Sequence, residues 1–73
     1  MEKRLFDELA VILEVSPHSI KSCASLTEFR AYDSLAQIHI ASMLENVFDV
    51  SVDPEDFESL DNTETLLGMI VKS

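Results

Sequence analysis

Apolar residues recur along this chain in helical spacings that are interrupted by one long stretch without any. Leu5, Phe6, Leu9, Ile12 and Leu13 fall three and four residues apart, with Glu2, Lys3, Asp7, Glu8 and Glu14 between them, so the spacing predicts an amphipathic helix. That helix is expected to end near Val15, because Pro17 disfavours helical geometry at Ser16 and lacks an amide donor. From Ser16 to Tyr32 no helical period persists and Ser, Thr, Cys and Ala are common, which predicts a long connection anchored by Ile20, Leu26 and Phe29. A connection of that length within a compact domain is unusual and often functional.

A second helical stripe begins where the connection ends, through Leu35, Ile38, Ala41, Leu44, Val47 and Phe48. Asp33 precedes it as an N-cap, worth about 1 kcal/mol over alanine, which places Ser34 in the first turn. The helix is expected to stop near Asp49, and Val50 to Val52 is too short to assign to a strand. Asp53-Pro54-Glu55-Asp56 combines a cap, a proline suited to the first helical position and acids over the positive helix end. A short third helix should open there, burying Phe57 and Leu60. Asp61 and Glu64 have the spacing of a capping box for a last helix through Leu66, Leu67, Met69 and Ile70. Gly68 inside that helix costs about 1 kcal/mol relative to alanine, which leads us to expect a closely packed neighbour. The pattern contains no internal repeat. It predicts an all-α fold, one domain over 1–73, as a four-helix bundle with three longer helices, a short third one and a long loop between the first two.

Size and composition narrow the function. Seventy-three residues leave little room for a deep pocket with a full catalytic constellation, so a binding or carrier module is favoured over an enzyme. With one glycine, two prolines and abundant Leu, Ile, Val and Phe, the chain should fold rather than remain disordered. Cys23 has no second cysteine to pair with, and neither a secretory segment nor an apolar span of roughly 18 residues is present. A reducing, cytoplasmic setting, no membrane span and a monomer are the expectations. The net charge is −9, and between Arg30 and Lys72 lie nine acidic residues with no Lys or Arg. Such a surface is a poor partner for nucleic acid and a better one for basic protein surfaces, although acids also serve plain solubility.

Ser34 is the residue that carries candidate chemistry. For an isolated Asp-Ser pair, the simple reading is a serine helping to satisfy first-turn amides. The alternative is a modified hydroxyl, since a helix start is exposed and offers amides to a phosphate. Context favours the second reading: the serine follows a helix and a long loop, opens the next helix, and is followed by an acidic segment.

That order resembles the acyl carrier protein family. Tyr32-Asp33-Ser34-Leu35 resembles the family's Asp-Ser-Leu attachment motif, and Leu44-Glu45 with Val47-Phe48-Asp49 resembles the end of its second helix. Val50 to Phe57 and Asp61 to Ile70 also match, so the resemblance runs from Leu5 almost to the end. It implies a 4′-phosphopantetheine arm moved from coenzyme A onto Ser34 by a phosphopantetheinyl transferase, with Asp33 and Leu35 flanking the site. It further implies acyl or aminoacyl cargo held as a thioester, a cargo-loading ligase, acyl-transferring biosynthetic enzymes such as those of fatty acid biosynthesis, and no catalysis by the carrier itself. The expected docking set is Ala36, Gln37, Ile38, His39, Glu45, Asp53, Glu55 and Asp56. Two departures stand out: Arg30-Ala31-Tyr32 replaces a glycine-containing approach, and Ala36, Gln37 and His39 stand where acids are usual, with the acidic lobe shifted to Glu45–Glu58. These departures point to a specialised pathway. The close alternative is a peptidyl or D-alanyl carrier, and one of another class is an acidic helical interaction module in which Ser34 is only a cap.

Other chemistries fit less well. His18, His39 and Cys23 lack zinc-ligand spacing, and Cys23 has no identifiable base beside it. His39 reads as a partner-facing polar residue. An EF-hand loop begun at Asp49 would place Pro54 where glycine is needed and Leu60 where a bidentate glutamate is needed, leaving only loose divalent binding by clustered carboxylates. No Gly-x-Ser-x-Gly elbow surrounds Ser34. Met1, Met43 and Met69 read as core filler or flexible surface, with Met43 also placed to line a cleft for an acyl chain. Phe6, Phe29, Phe48 and Phe57 are assigned to the core, each worth about 1.5–3 kcal/mol if fully buried, and Tyr32 to the loop or the arm. Replacing Leu35 or Phe48 is expected to loosen the bundle, and replacing Ser34 to leave stability intact.

Overall fold

The computed structural model describes residues 2–72. Met1 lies outside the described residues, and with it the expectation that it fills core or flexible surface. Four α-helices and two 3₁₀ segments follow one another: α1 (Glu2–Leu13), α2 (Pro17–Ser22), a turn at Leu26–Glu28, α3 (Ser34–Phe48), a second 3₁₀ segment at Pro54–Ser59, and α4 (Thr63–Lys72). The fold is all-helical, as expected, and no strand occurs among the described residues. The molecule measures 26 × 24 × 19 Å. The second long helix of the sequence pattern is α3.

α1 ends two residues before the expected Val15. Glu14 adopts left-handed geometry, φ 58°, and the Val15 amide reaches back to the Ala10 carbonyl at 3.0 Å while Glu14 bonds Val11. This is a Schellman closure built without the usual glycine. Proline then begins a helix rather than a loop. Ser16 caps α2 by accepting from the Ser19 amide at 3.2 Å, and Pro17 occupies the first helical position. The expected structureless linker is therefore half-ordered by α2 and by the 3₁₀ turn. Six residues with the single buried anchor Ile20 are too few to show a period, but the Ser16-Pro17 signal is present.

Capping boxes occur before the two 3₁₀ segments instead of at the last helix. Glu28 Oε2 accepts from the amides of Ser25 and Ala24 at 3.1 and 2.8 Å. Asp61 holds this loop to the other end of the chain, its carbonyl accepting from Leu26 N at 2.8 Å and its carboxylate from Ser25 Oγ at 3.3 Å. α4 is capped by Asn62, whose Oδ1 accepts from the Glu64 and Thr65 amides at 2.9 and 3.2 Å. At the second 3₁₀ segment, Asp56 Oδ2 accepts from Asp53 N at 3.0 Å.

The interior is aliphatic. Leu5, Leu9, Leu13, Ile20, Leu26, Ile40, Leu44, Leu60 and Leu66 are shut off from solvent, with α1 packed on α2 and α3. All four phenylalanines are half-buried at the margin of this cluster rather than inside it. Helices packed 8–10 Å apart, in the usual range, leave leucine-sized gaps at their centre, and larger rings close the edges.

The buried stripe of α3 also differs from the expected one. Ala36, Ile40, Met43 and Leu44 face the core, whereas Leu35 and Ile38 are 59% and 53% exposed. Apolar residues on several sides of α3 made two stripes compatible with its sequence, and contact with α1 selects between them. Leu35 is thus not a core residue. Gly68 has no packing neighbour either: a Cβ built there meets nothing within 4 Å.

Candidate functional site

Asp33 is the residue that shapes the start of α3. Its backbone is extended, φ −146° and ψ −170°, and its Oδ1 accepts from the Ala36 amide at 2.8 Å. Its carbonyl accepts from Gln37 N at 3.0 Å, closing the first turn. Ser34 is therefore the first residue of the helix, and it is exposed. No hydrogen bond engages its hydroxyl among the described residues. The amides of Ser34 and Leu35 lack carbonyls in a preceding turn, so the helix start presents donors and a positive partial charge around the hydroxyl.

The approach to Ser34 is braced as well. Phe29 and Tyr32 close successive turns, with bonds from Phe29 N to the Leu26 carbonyl at 3.1 Å and from Tyr32 N to the Phe29 carbonyl at 3.0 Å. Gln37 Nε2 donates to the Tyr32 hydroxyl at 3.3 Å across the first turn of α3. Tyr32 is thus half-buried against its own loop and core. The chain supplies an accessible primary alcohol in a fixed position and no base against it, which suits a hydroxyl acting as acceptor in another enzyme's site.

The other expected site residues divide by exposure. Leu35, Ile38, His39, Glu45, Asp53 and Glu55 are exposed. Asp56 is half-buried with its carboxylate turned to Asp53 N, and Gln37 is half-buried on Tyr32. Ala36 is only 4% exposed and belongs to the core, which corrects its place in a docking set: it lies on the α1 side of α3. Met43 is 7% exposed and likewise core. Cys23 is half-buried, its thiol donating to the Ile20 carbonyl at 3.0 Å. Burial, with the Glu28 charge adding, raises its pKa, so the reactive thiolate is disfavoured. Among the described residues no three of His, Cys, Asp and Glu are placed to hold one metal ion. No helix there is long and apolar enough to cross a membrane.

One feature of the site has no counterpart in the sequence pattern. An open groove of about 250 Å³ lies between the end of α1 and the start of α3, lined by Ile12, Glu14, Ala31, Asp33, Leu35, Ala36 and His39, and Ser34 is not among its lining residues. A neighbouring hollow of about 380 Å³ shares Glu14 and Ala31 with it and continues to Leu13, Val15 and Arg30. Its lining comes from three separated segments, and the small side chain of Ala31 was the one signal available beforehand.

In comparison with protein families, the model of the phosphopantetheine attachment site matches residues 3–70. No match was found among curated proteins or among solved structures. The residues present suit such a group. A phosphodiester on Ser34 would meet the unpaired first-turn amides rather than a buried apolar wall, and the exposed hydroxyl needs no rearrangement to be reached.

Proposed function

Because the chain belongs to the phosphopantetheine attachment-site family, the family of the acyl carrier proteins, we propose that Ser34 is the residue bearing its 4′-phosphopantetheine and that acyl or aminoacyl groups travel on it. The arm, when bound, supplies a terminal thiol on which cargo is held as a thioester. The observation that carries this reading is the exposed, unpartnered Ser34 hydroxyl at the first position of α3, held there by the Asp33 cap. In the loading step the Ser34 oxygen forms the new bond to phosphorus, the phosphoanhydride of coenzyme A breaks to release adenosine 3′,5′-bisphosphate, and the hydroxyl proton passes to the transferase.

Each residue of the site then has a task. Asp33 fixes the helix start, so that Ser34 projects the same way at every encounter. The bond from Gln37 to Tyr32 keeps the preceding loop from folding over it. Leu35 and Ile38 form an exposed apolar surface on α3 next to Ser34, with His39 beside them and Glu45 further along. Paired with the exposed Asp53 and Glu55, that surface suits partners with an apolar contact and a basic rim: the transferase, a cargo-loading ligase and acyl-transferring enzymes. The absence of acids at Gln37 and His39 supports service in a dedicated pathway. General fatty-acid ketosynthases and malonyl transferase accepting this carrier as readily as their own would refute that last point.

Incubation with coenzyme A, Mg²⁺ and a promiscuous phosphopantetheinyl transferase, read by intact mass, tests the attachment. One arm should be added to the wild-type chain and none to Ser34→Ala, which should keep its helical spectrum and melting curve. A folded wild-type protein that takes no arm from several transferases would point instead to an acidic interaction module.

A further inference from the structure

We propose that Tyr32 and Gln37 are positioning residues for the phosphodiester formed at Ser34, a pair of neutral donors that hold its unesterified oxygens and so fix the direction in which the arm leaves α3. This rests on the reading of Ser34 as the attachment residue. On a helix of about 3.6 residues per turn, Ser34 lies between Gln37 and Ile38, on the side facing away from the core residues Ala36, Ile40, Met43 and Leu44. Long helical side chains lean back toward the N-terminus, over the preceding turn. Gln37 does so here, because its Nε2 donates at 3.3 Å to the hydroxyl of Tyr32, a residue that precedes the helix. The Gln37 amide and the Tyr32 hydroxyl therefore stand beside the first turn, on the flank of Ser34.

Both groups have a donor to spare. The Gln37 amide nitrogen carries two hydrogens and commits one to Tyr32, while the Tyr32 hydroxyl accepts that bond and keeps its own hydrogen, which has no acceptor among the described residues. Tyr32 is half-buried against the core and Gln37 half-buried on Tyr32, so the two donors are held in place rather than left to rotate in water. Loading creates the need for them. The phosphodiester adds a negative charge to a chain already at −9, and no lysine or arginine lies between Arg30 and Lys72 to neutralise it. The carboxylate next to it in sequence, that of Asp33, is occupied by Ala36 N. Hydrogen bonds to a phosphate are stronger than those between neutral groups, so two uncharged donors stabilise the anion without offering Asp33 a competing cation. Ile38, on the other side of Ser34, is exposed and has no donor. A phosphate held from the Gln37 side leaves the arm to depart over Ile38, the apolar surface proposed above to meet partners.

Phosphorus and amide spectra of the arm-bearing protein, with intact mass confirming one arm, test the pair. A phosphodiester has no ionisation near neutral pH, so displacement of its ³¹P signal reports altered contacts rather than altered charge. In Tyr32→Phe and in Gln37→Met, each shown folded by circular dichroism, the ³¹P signal should move from its wild-type position toward that of the same arm on an unfolded peptide containing Ser34. In ¹⁵N-labelled wild-type protein, one side-chain amide proton of Gln37 should move downfield when the arm is added. Phenylalanine keeps the ring and methionine the length, so a pair that only braces the loop leaves the ³¹P signal unmoved. That result with the arm in place, or a Gln37 side-chain amide indifferent to the arm, would overturn the positioning role and leave Ser34 as the attachment residue. If Tyr32→Phe does not fold, Gln37→Met and the wild-type amide shift decide. A folded wild-type chain that takes no arm, or takes it elsewhere than Ser34, would overturn both readings.

Discussion

At the scale of single residues, position within a turn separates function from packing. Ser34 and Asp33 are adjacent, yet the carboxylate is used by the fold, accepting from Ala36 N, while the hydroxyl makes no hydrogen bond among the described residues. A modification site needs this contrast: a reactive atom without structural duties, mounted on a neighbour that has them. Gly68 shows the converse, a residue whose lack of side chain serves no contact. With open space at its Cβ position inside α4, Gly68→Ala should stabilise the protein by about 0.4–1 kcal/mol, because alanine restricts the unfolded chain and no neighbour must give way. Chemical denaturation would check it, and an unchanged or lower midpoint would mean that α4 is held by something other than its own helicity.

Among the elements, α3 has the most demanding role, since one helix serves both the core and the partner. Its Ala36–Ile40–Met43–Leu44 side is buried, and its Leu35–Ile38 side is exposed although equally apolar. Leu44→Ala should cost about 2–5 kcal/mol through the cavity it leaves, whereas Leu35→Ala should change stability by less than about 0.5 kcal/mol. Urea melts separate these outcomes. Transfer of the arm should respond in the opposite order, with Leu35→Ala slowing loading by the transferase while folded Leu44→Ala protein is still loaded. A Leu35→Ala variant that unfolds would place the apolar stripe where its period first suggested. The α1–α3 connection makes a related point: Glu28 and Asp61 together hold the Ala24–Leu26 stretch in its middle, tying it to the chain that leads into α4.

For the whole molecule the dominant quantity is charge. The ion pairs Lys3–Asp7 and Arg4–Glu8, at 3.3 and 3.1 Å, both lie on α1, while the nine carboxylates between Arg30 and Lys72 have no ion-pair partner among the described residues. Exposed pairs at this spacing contribute only about 0.3–0.5 kcal/mol, too little to offset the self-repulsion of a −9 chain. Millimolar Mg²⁺ or Ca²⁺ at constant ionic strength should therefore raise the melting temperature of the unloaded protein by diffuse neutralisation. An unchanged melting curve would show that the acids are too widely spread to feel a divalent ion. The same field favours basic partners and makes association with them weaken as salt rises.

Much of this was legible in the order of residues, for reasons that are local. Helical period and capping chemistry depend on neighbours within a turn, so α1, α3 and α4, the Asp33 cap and the position of Ser34 at a helix start could all be read directly. α2 was readable in principle from Ser16-Pro17, but a six-residue helix carries too few apolar positions for a period to emerge. Which side of α3 is buried, where the phenylalanines lie, that Asn62 rather than Asp61 caps α4, and that a groove opens between the end of α1 and the start of α3 were decided by packing. Each depends on segments distant in the chain meeting in space: α1 against α3, Ser25 and Leu26 against Asp61, Glu14 beside Ala31. A periodic sequence defines the faces an element possesses, and only its neighbours determine which face is covered.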